Sequence, residues 1–247
     1  MKNFLLMIQF FTRIPIAKEF VLEKEDFAKG ICYFPLVGLI VGFINGCTYY
    51  VTSLVLEGIA PIVLTMLVNT LVTGALHLDG IADTCDAIFS ARKKQKMLEI
   101  MKDSRIGTNG VLALFFILAL KIAFLDLFSE DTIIAIIILS PVIGRTVMGV
   151  VVFRCKYARN KEGLGGLFIG KTTVLQTLLC LSLGTVACAA LLGFIGIYTL
   201  IASILVGVML RIYFCRILDG LTGDLLGAIN EIVELAVLFV TLLLLAL

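Results

Sequence analysis

Seven apolar stretches alternate with polar ones along the chain, at roughly 31–56, 60–77, 106–128, 132–153, 173–195, 197–218 and 227–247. A helix needs about 20 apolar residues to cross the hydrocarbon layer of a bilayer, and each stretch approaches or exceeds that length. No alternation of the barrel type runs through them, so backbone groups in lipid must be satisfied within helices. The pattern predicts an all-α, polytopic membrane bundle of about seven transmembrane helices. The N-terminal residues 1–15 form a shorter apolar run, broken by Gln9 and Arg13, with no small-residue cleavage site behind it. This reads as a retained amphipathic or re-entrant segment at the membrane surface. No linker, repeat or low-complexity tract divides the chain, so residues 1–247 are expected to form a single integral membrane domain.

The polar stretches set an orientation. Lys2, the 12–30 segment (Arg13, Lys18, Lys24, Lys29), the 78–105 segment (Arg92, Lys93, Lys94, Lys96, Lys102, Arg105), the 154–172 segment (Arg154, Lys156, Arg159, Lys161, Lys171) and the 211–226 region (Arg211, Arg216) hold all but two of the 20 basic residues. The intervening connections hold none. The positive-inside rule therefore places the N-terminus and these basic loops in the cytoplasm and the C-terminus outside. The two exceptions are Lys121, near the outer end of its span and able to snorkel, and Arg145, near the middle of its span. An Arg at that depth is costly and marks either a functional group or the support of a broken helix.

Composition supports the membrane reading: 60% of residues are hydrophobic and the mean hydropathy is +1.11. The net charge of +2, without a basic tail or interleaved aromatics, argues against nucleic acid as a partner. The seven cysteines are scattered and lack metal-ligand spacing, which implies neither a zinc site nor a disulfide framework. Trp is absent, so the interfacial belt falls to Tyr and Phe.

The chemistry concentrates on the basic side. In Leu76-His77-Leu78-Asp79-Gly80-Ile81-Ala82-Asp83-Thr84-Cys85-Asp86, the only histidine precedes three aspartates spaced i, i+4, i+7. At about 100° per residue, a helix keeps Asp83 and Asp86 within about 40° of Asp79. Stacked carboxylates repel one another and carry a desolvation cost beside a bilayer, which a divalent cation would relieve. Hard oxygen ligands suit magnesium best. Asn69, Thr73 and His77 form a polar stripe leading toward the cluster, and either a cavity or interhelix hydrogen bonds would account for it. The run Lys102-Asp103-Ser104-Arg105-Ile106-Gly107-Thr108-Asn109-Gly110 supplies cations, glycines and a helix N-terminus, features that favour phosphate. Tyr157–Gly166, with Arg159, repeats the theme, and Leu221–Asp224 adds a tight polar turn. Asn230, Glu231 and Glu234 share one side of the last span. This inventory fits metal-assisted transfer of a phosphorylated group.

The runs FFTRIPI (10–16), HLDGIADTCDA (77–87), EIMKDSRIGTNGVLAL (99–114), YARNKEGLG (157–165) and LTGDLLGAINEIVEL (221–235) resemble, in order, the cobalamin synthase family, the adenosylcobinamide-GDP ribazoletransferases. The resemblance implies a magnesium-dependent enzyme of the inner membrane, active on its cytoplasmic face. Its substrates would be adenosylcobinamide-GDP and α-ribazole, or the 5′-phosphate of the latter, with GMP released. It further implies that Asp79, Asp83, Asp86 and Asp103 hold the magnesium across the diphosphate, and that Lys102 and Arg105 hold the leaving phosphate. Asn109, Arg145 and Arg159 would join the substrate-binding residues. Asp224, Asn230, Glu231 and Glu234 would line the opposite wall. His77 is a candidate base, with helix capping or substrate orientation as equal alternatives. A homo-oligomer, or contact with other cobamide-assembly enzymes, stays open, since the G-x-x-x-G steps Gly38–Gly42–Gly46 serve packing within or between chains.

Other families share parts of this pattern. The CDP-alcohol phosphotransferases have an aspartate where Leu76 stands and an arginine where Asp83 stands, so that match fails. Intramembrane prenyltransferases also bind diphosphate through Asp-rich motifs. A secondary transporter would explain intramembrane charge, but its site tends to lie near the midplane.

Overall fold

Ten α-helices and two 3-10 turns make up the regular structure of the computed structural model, which describes residues 1–16, 24–160 and 163–247. Among the described residues there is no strand, only an isolated bridge between Tyr157 and Leu221. The basic residues Lys18 and Lys161 lie outside the described residues.

The helices are α1 (Lys2–Phe11), α2 (Lys24–Gly30), α3 (Phe34–Ser53), α4 (Ala60–Thr73), α5 (Leu76–Ile88), α6 (Lys94–Ile100), α7 (Thr108–Leu125), α8 (Glu130–Val151), α9 (Val174–Leu218) and α10 (Gly223–Leu245). Helix α8 is the central post. Its residues from Leu139 to Gly149 are all buried, against α3, α9 and α10. A Cβ at Gly38 or Gly42 would fall on the carbonyls of Pro141 and Ile138, so the first G-x-x-x-G step is used for close packing of α3 on α8 within the chain.

Five helical segments are long and apolar enough to cross a membrane: Glu25–Ser53, α7, α8, α9 and α10. A sixth is counted if α4 and α5, bent by 90°, are taken as one broken span. The expected seven is reached only by treating α9 as two limbs. Its backbone leaves helical geometry at Leu192 and Gly193. Beyond that break the chain folds back, because Gly196 lies against the backbone of Cys188, and Gly184 and Gly207 contact the adjacent α8 residues Thr146 and Val147. In a straight helix those two glycines would stand about 34 Å apart.

Two other expectations change. The N-terminal segment is a helix, but Leu6, Met7, Ile8 and Phe11 are buried in the main core rather than resting outside it. The stretch 60–77 does not run as one helix. It stops at Thr73, and Gly74 and Ala75 both adopt left-handed φ values of 62° and 58°. That turn breaks the Asn69–Thr73–His77 stripe. Asn69 accepts from the Asn45 amide at 2.9 Å and so joins α4 to α3, whereas Thr73 donates to the Asn69 carbonyl at 2.8 Å within α4 itself.

Candidate active site at the junction of α5 and α10

Helix α5 crosses α10 at a contact that needs two glycines. A Cβ on Gly80 would stand 2.8 Å from the Asp224 carbonyl and 3.1 Å from the Gly227 Cα. This close approach brings the carboxylates of α5 beside the first turn of α10. Asp83 lies in the combined field of Asp79, Asp224 and Asp86, with Arg159 the opposing charge. The first turn of a helix favours an acid, and Asp224 occupies it behind the Thr222 cap, whose hydroxyl accepts from the Leu225 N–H at 3.2 Å. Arg159 donates to Asp224 at 2.6 Å. Among the described residues, the carboxylates of Asp79 and Asp83 make no hydrogen bond or ion pair; Asp79 is exposed and Asp83 half-buried.

Asp86, the third acid of the spacing, is committed elsewhere. Its two oxygens accept from the backbone N–H groups of Gly107 and Gly110 at 2.7 and 2.8 Å. It thus caps α7 from a neighbouring helix, satisfying donors that the helix start leaves open. Asp103 and Arg105, expected at metal and phosphate, pair with each other at 2.6 Å on an exposed turn. Arg105 holds the Asp103 carboxyl down at about 2. Asn109 is half-buried in the first turn of α7 and makes no side-chain hydrogen bond.

Glu231, Glu234, Asn230 and Arg145 form a second centre, deeper along α10, rather than an opposite wall to the aspartates. Lys121 does not snorkel outward. It is buried and donates to Glu231 and Glu234, both at 2.7 Å. The Asn230 amide donates to Glu234 at 2.8 Å, and Arg145 lies 3.6 Å from the same carboxylate. Removing these charges from water is tolerable because each acid meets a cation. His77 sits at the edge of this network with its Nε2 unpartnered.

One hollow borders Asp79 and Asp224, and a second is linked to them through Arg159. A cavity of about 110 Å³ is lined by His77, Asp79 and Asp224 on one side and by Phe10, Phe11, Phe34 and Phe168 on the other. An open groove of about 540 Å³ is lined by Lys93, Lys94, Lys102, Arg159 and Asn160 over Leu98 and Ala158. Arg159 belongs to both the groove and the acid cluster.

Among the described residues, only His77, Glu231 and Glu234 offer three ligand atoms within 4.8 Å of one another. Lys121 already supplies the cation there. The α5 aspartates and Asp224 of α10 do not converge to that degree; Asp86 is tied to α7 and Asp224 to Arg159. Yet Asp79 and Asp83 retain unpaired hard oxygens. Magnesium characteristically takes one or two carboxylates and completes its shell with water and substrate phosphate, which this pair fits.

The sequence pointed to a snorkelling Lys121, which the structure corrects, and did not show the phenylalanine wall. The FFTRIPI run supplies two of the four phenylalanines, and Lys121 stood out as an intramembrane cation, but its partners lie more than 100 residues away.

Residues 3–242 match the family described as cobalamin-5-phosphate synthase. A protein of Clostridium novyi (strain NT) is 47% identical over 236 residues, covering 95% of this chain and 94% of the relative. One of Clostridioides difficile (strain 630) is 41% identical over 250 residues, covering 96% of each. One of Escherichia coli (strain K12 / DH10B) is 39% identical over 250 residues, covering 98% of this chain and 99% of the relative. All three relatives carry the name adenosylcobinamide-GDP ribazoletransferase. No solved structure matches the chain.

Proposed function

The chain belongs to the cobalamin-5-phosphate synthase family, and on that premise we propose that it transfers the adenosylcobinamide phosphate group of adenosylcobinamide-GDP to α-ribazole or its 5′-phosphate. The observation that carries this reading is the unpaired couple Asp79–Asp83, set beside the Arg159–Asp224 pair, with Asp79 lining the small cavity and Arg159 lining the groove.

In this reaction a ribazole hydroxyl attacks the phosphorus on the cobinamide side of the diphosphate. The bond from that phosphorus to the bridging oxygen breaks, and GMP departs with the oxygen. Asp79 and Asp83 would hold magnesium, which when bound neutralises the diphosphate and stabilises the leaving charge. The hydroxyl proton passes to His77, which lines the small cavity, since Asp79 and Asp83 would be engaged by the magnesium. His77 orients that hydroxyl through its unpartnered Nε2. Arg159 keeps Asp224 from adding a further unpaired charge beside Asp83 and presents its remaining N–H groups to phosphate. Asp86 sets the start of α7, and the buried Lys121–Glu231–Glu234 group fixes α7 against α10 behind His77.

The site opens among Lys93, Lys94, Lys102 and Arg159, residues of the basic loops. By the positive-inside rule this end of the bundle faces the cytoplasm, with the N-terminus on the same side and the C-terminus outside. A multi-pass enzyme of the inner membrane follows. The test is GMP release by the purified protein in detergent, supplied with adenosylcobinamide-GDP and magnesium. Release that requires ribazole and yields the joined corrinoid supports the reading. Binding of the corrinoid without either product would overturn it.

A further inference from the structure

We infer that the groove between α6 and the 158–160 segment seats the guanosine monophosphate half of the donor, so that the leaving group occupies Lys93, Lys94, Lys102 and Arg159. This rests on the proposed activity and adds a place for the nucleotide that the family likeness does not supply.

The two hollows differ in chemistry. The smaller is walled by four phenylalanines, and a phosphate dianion placed there would lose hydration without gaining a cation. The larger carries four cations and one acid, Glu99, which turns to Lys96 at 3.0 Å. Lys94 lies 3.6 Å from Asp219, whereas Lys93 and Lys102 have no ion-pair partner among the described residues. Two unpaired ammonium groups on one groove create a local demand for an anion. The groove volume of about 540 Å³ falls within the range of small-ligand sites, and Leu98 and Ala158 give it an apolar floor for a base. Arg159 fixes the direction. It lines the groove and bonds Asp224, so a diphosphate lying beside Asp79 and Asp83 extends past Arg159 into the groove. Lys102 therefore meets phosphate without its expected companion Arg105, which is occupied by Asp103.

The test compares wild type with Lys93→Ala, Lys102→Ala and Lys102→Arg, measuring direct GMP binding and, separately, turnover. Loss of one charge-assisted phosphate contact should weaken GMP binding and raise the KM for adenosylcobinamide-GDP about tenfold, leave the KM for ribazole unchanged, and be largely restored by Lys102→Arg. Guanosine, which lacks the phosphate, should bind all four proteins alike. Unchanged GMP affinity in both alanine variants would overturn the inference. So would a defect seen only in vesicles containing anionic lipid, which would make the groove a headgroup site. If wild type binds GMP, the variants do not, and no protein releases GMP from the donor, then the groove assignment stands and the activity reading fails.

Discussion

Arg159 donates to Asp224 at 2.6 Å across the gap between the 154–160 segment and the first turn of α10, joining a basic groove to an acidic cluster. In the proposed reaction, Arg159 marks the face of the aspartates that meets the anionic substrate. Arg159→Lys keeps the charge but loses the planar fork that serves two partners. We expect kcat/KM for the donor to fall about 10-fold in Arg159→Lys and about 100-fold in Arg159→Ala, in line with charge-assisted contacts. Steady-state kinetics on folded protein check this order, and equal rates in the two variants would contradict it.

Asp86 is expected to act through structure. Removing a helix cap costs about 1–2 kcal/mol, so Asp86→Ala should lower the unfolding midpoint in detergent. Asp86→Asn retains one acceptor and should lose less. Neither should shift the magnesium concentration giving half-maximal rate, as measured by titration of the residual activity.

Lys121→Met would leave Glu231 and Glu234 buried without their shared ammonium. Breaking such a pair from one side costs about 3–5 kcal/mol. Combining Lys121→Met with Glu231→Gln should recover part of the loss, since one uncompensated charge disappears with it. Thermal unfolding of the single and double variants measures the coupling.

The acid limb of the pH profile should not come from Asp103. Arg105 depresses this carboxyl to about 2, so the pair is intact above the ordinary carboxylate range and is lost only as pH falls through about 2. Asp103→Asn should therefore leave the position of the acid limb unchanged between pH 4 and 7. A displaced limb would show that Asp103 titrates within the working range.

Much of the architecture was legible because apolar length and polar punctuation report crossings directly. Even the fold-back of α9 was marked by the short Gly193–Gly196 connection between two apolar stretches. The break at Gly74–Ala75 was hidden, because hydropathy runs on through Leu76 and carries no record of direction. The Asp79, Asp83 and Asp86 spacing placed the three on one helix, α5, since helical geometry is local. It did not separate the roles of the three, because the amides that claim Asp86 belong to Gly107 and Gly110. Lys121 was misread for the same reason: its depth was visible, while Glu231 and Glu234 arrive only through tertiary packing.

The central claim is that Asp79 and Asp83 carry the metal-dependent step. Its most direct test is GMP release against magnesium concentration for wild type, Asp79→Asn and Asp83→Asn, each shown to be folded. The account predicts at least about a 100-fold fall in kcat and a raised magnesium requirement in both variants, the scale of losing a preorganised electrostatic contact. Wild-type rates with unchanged magnesium dependence would contradict it.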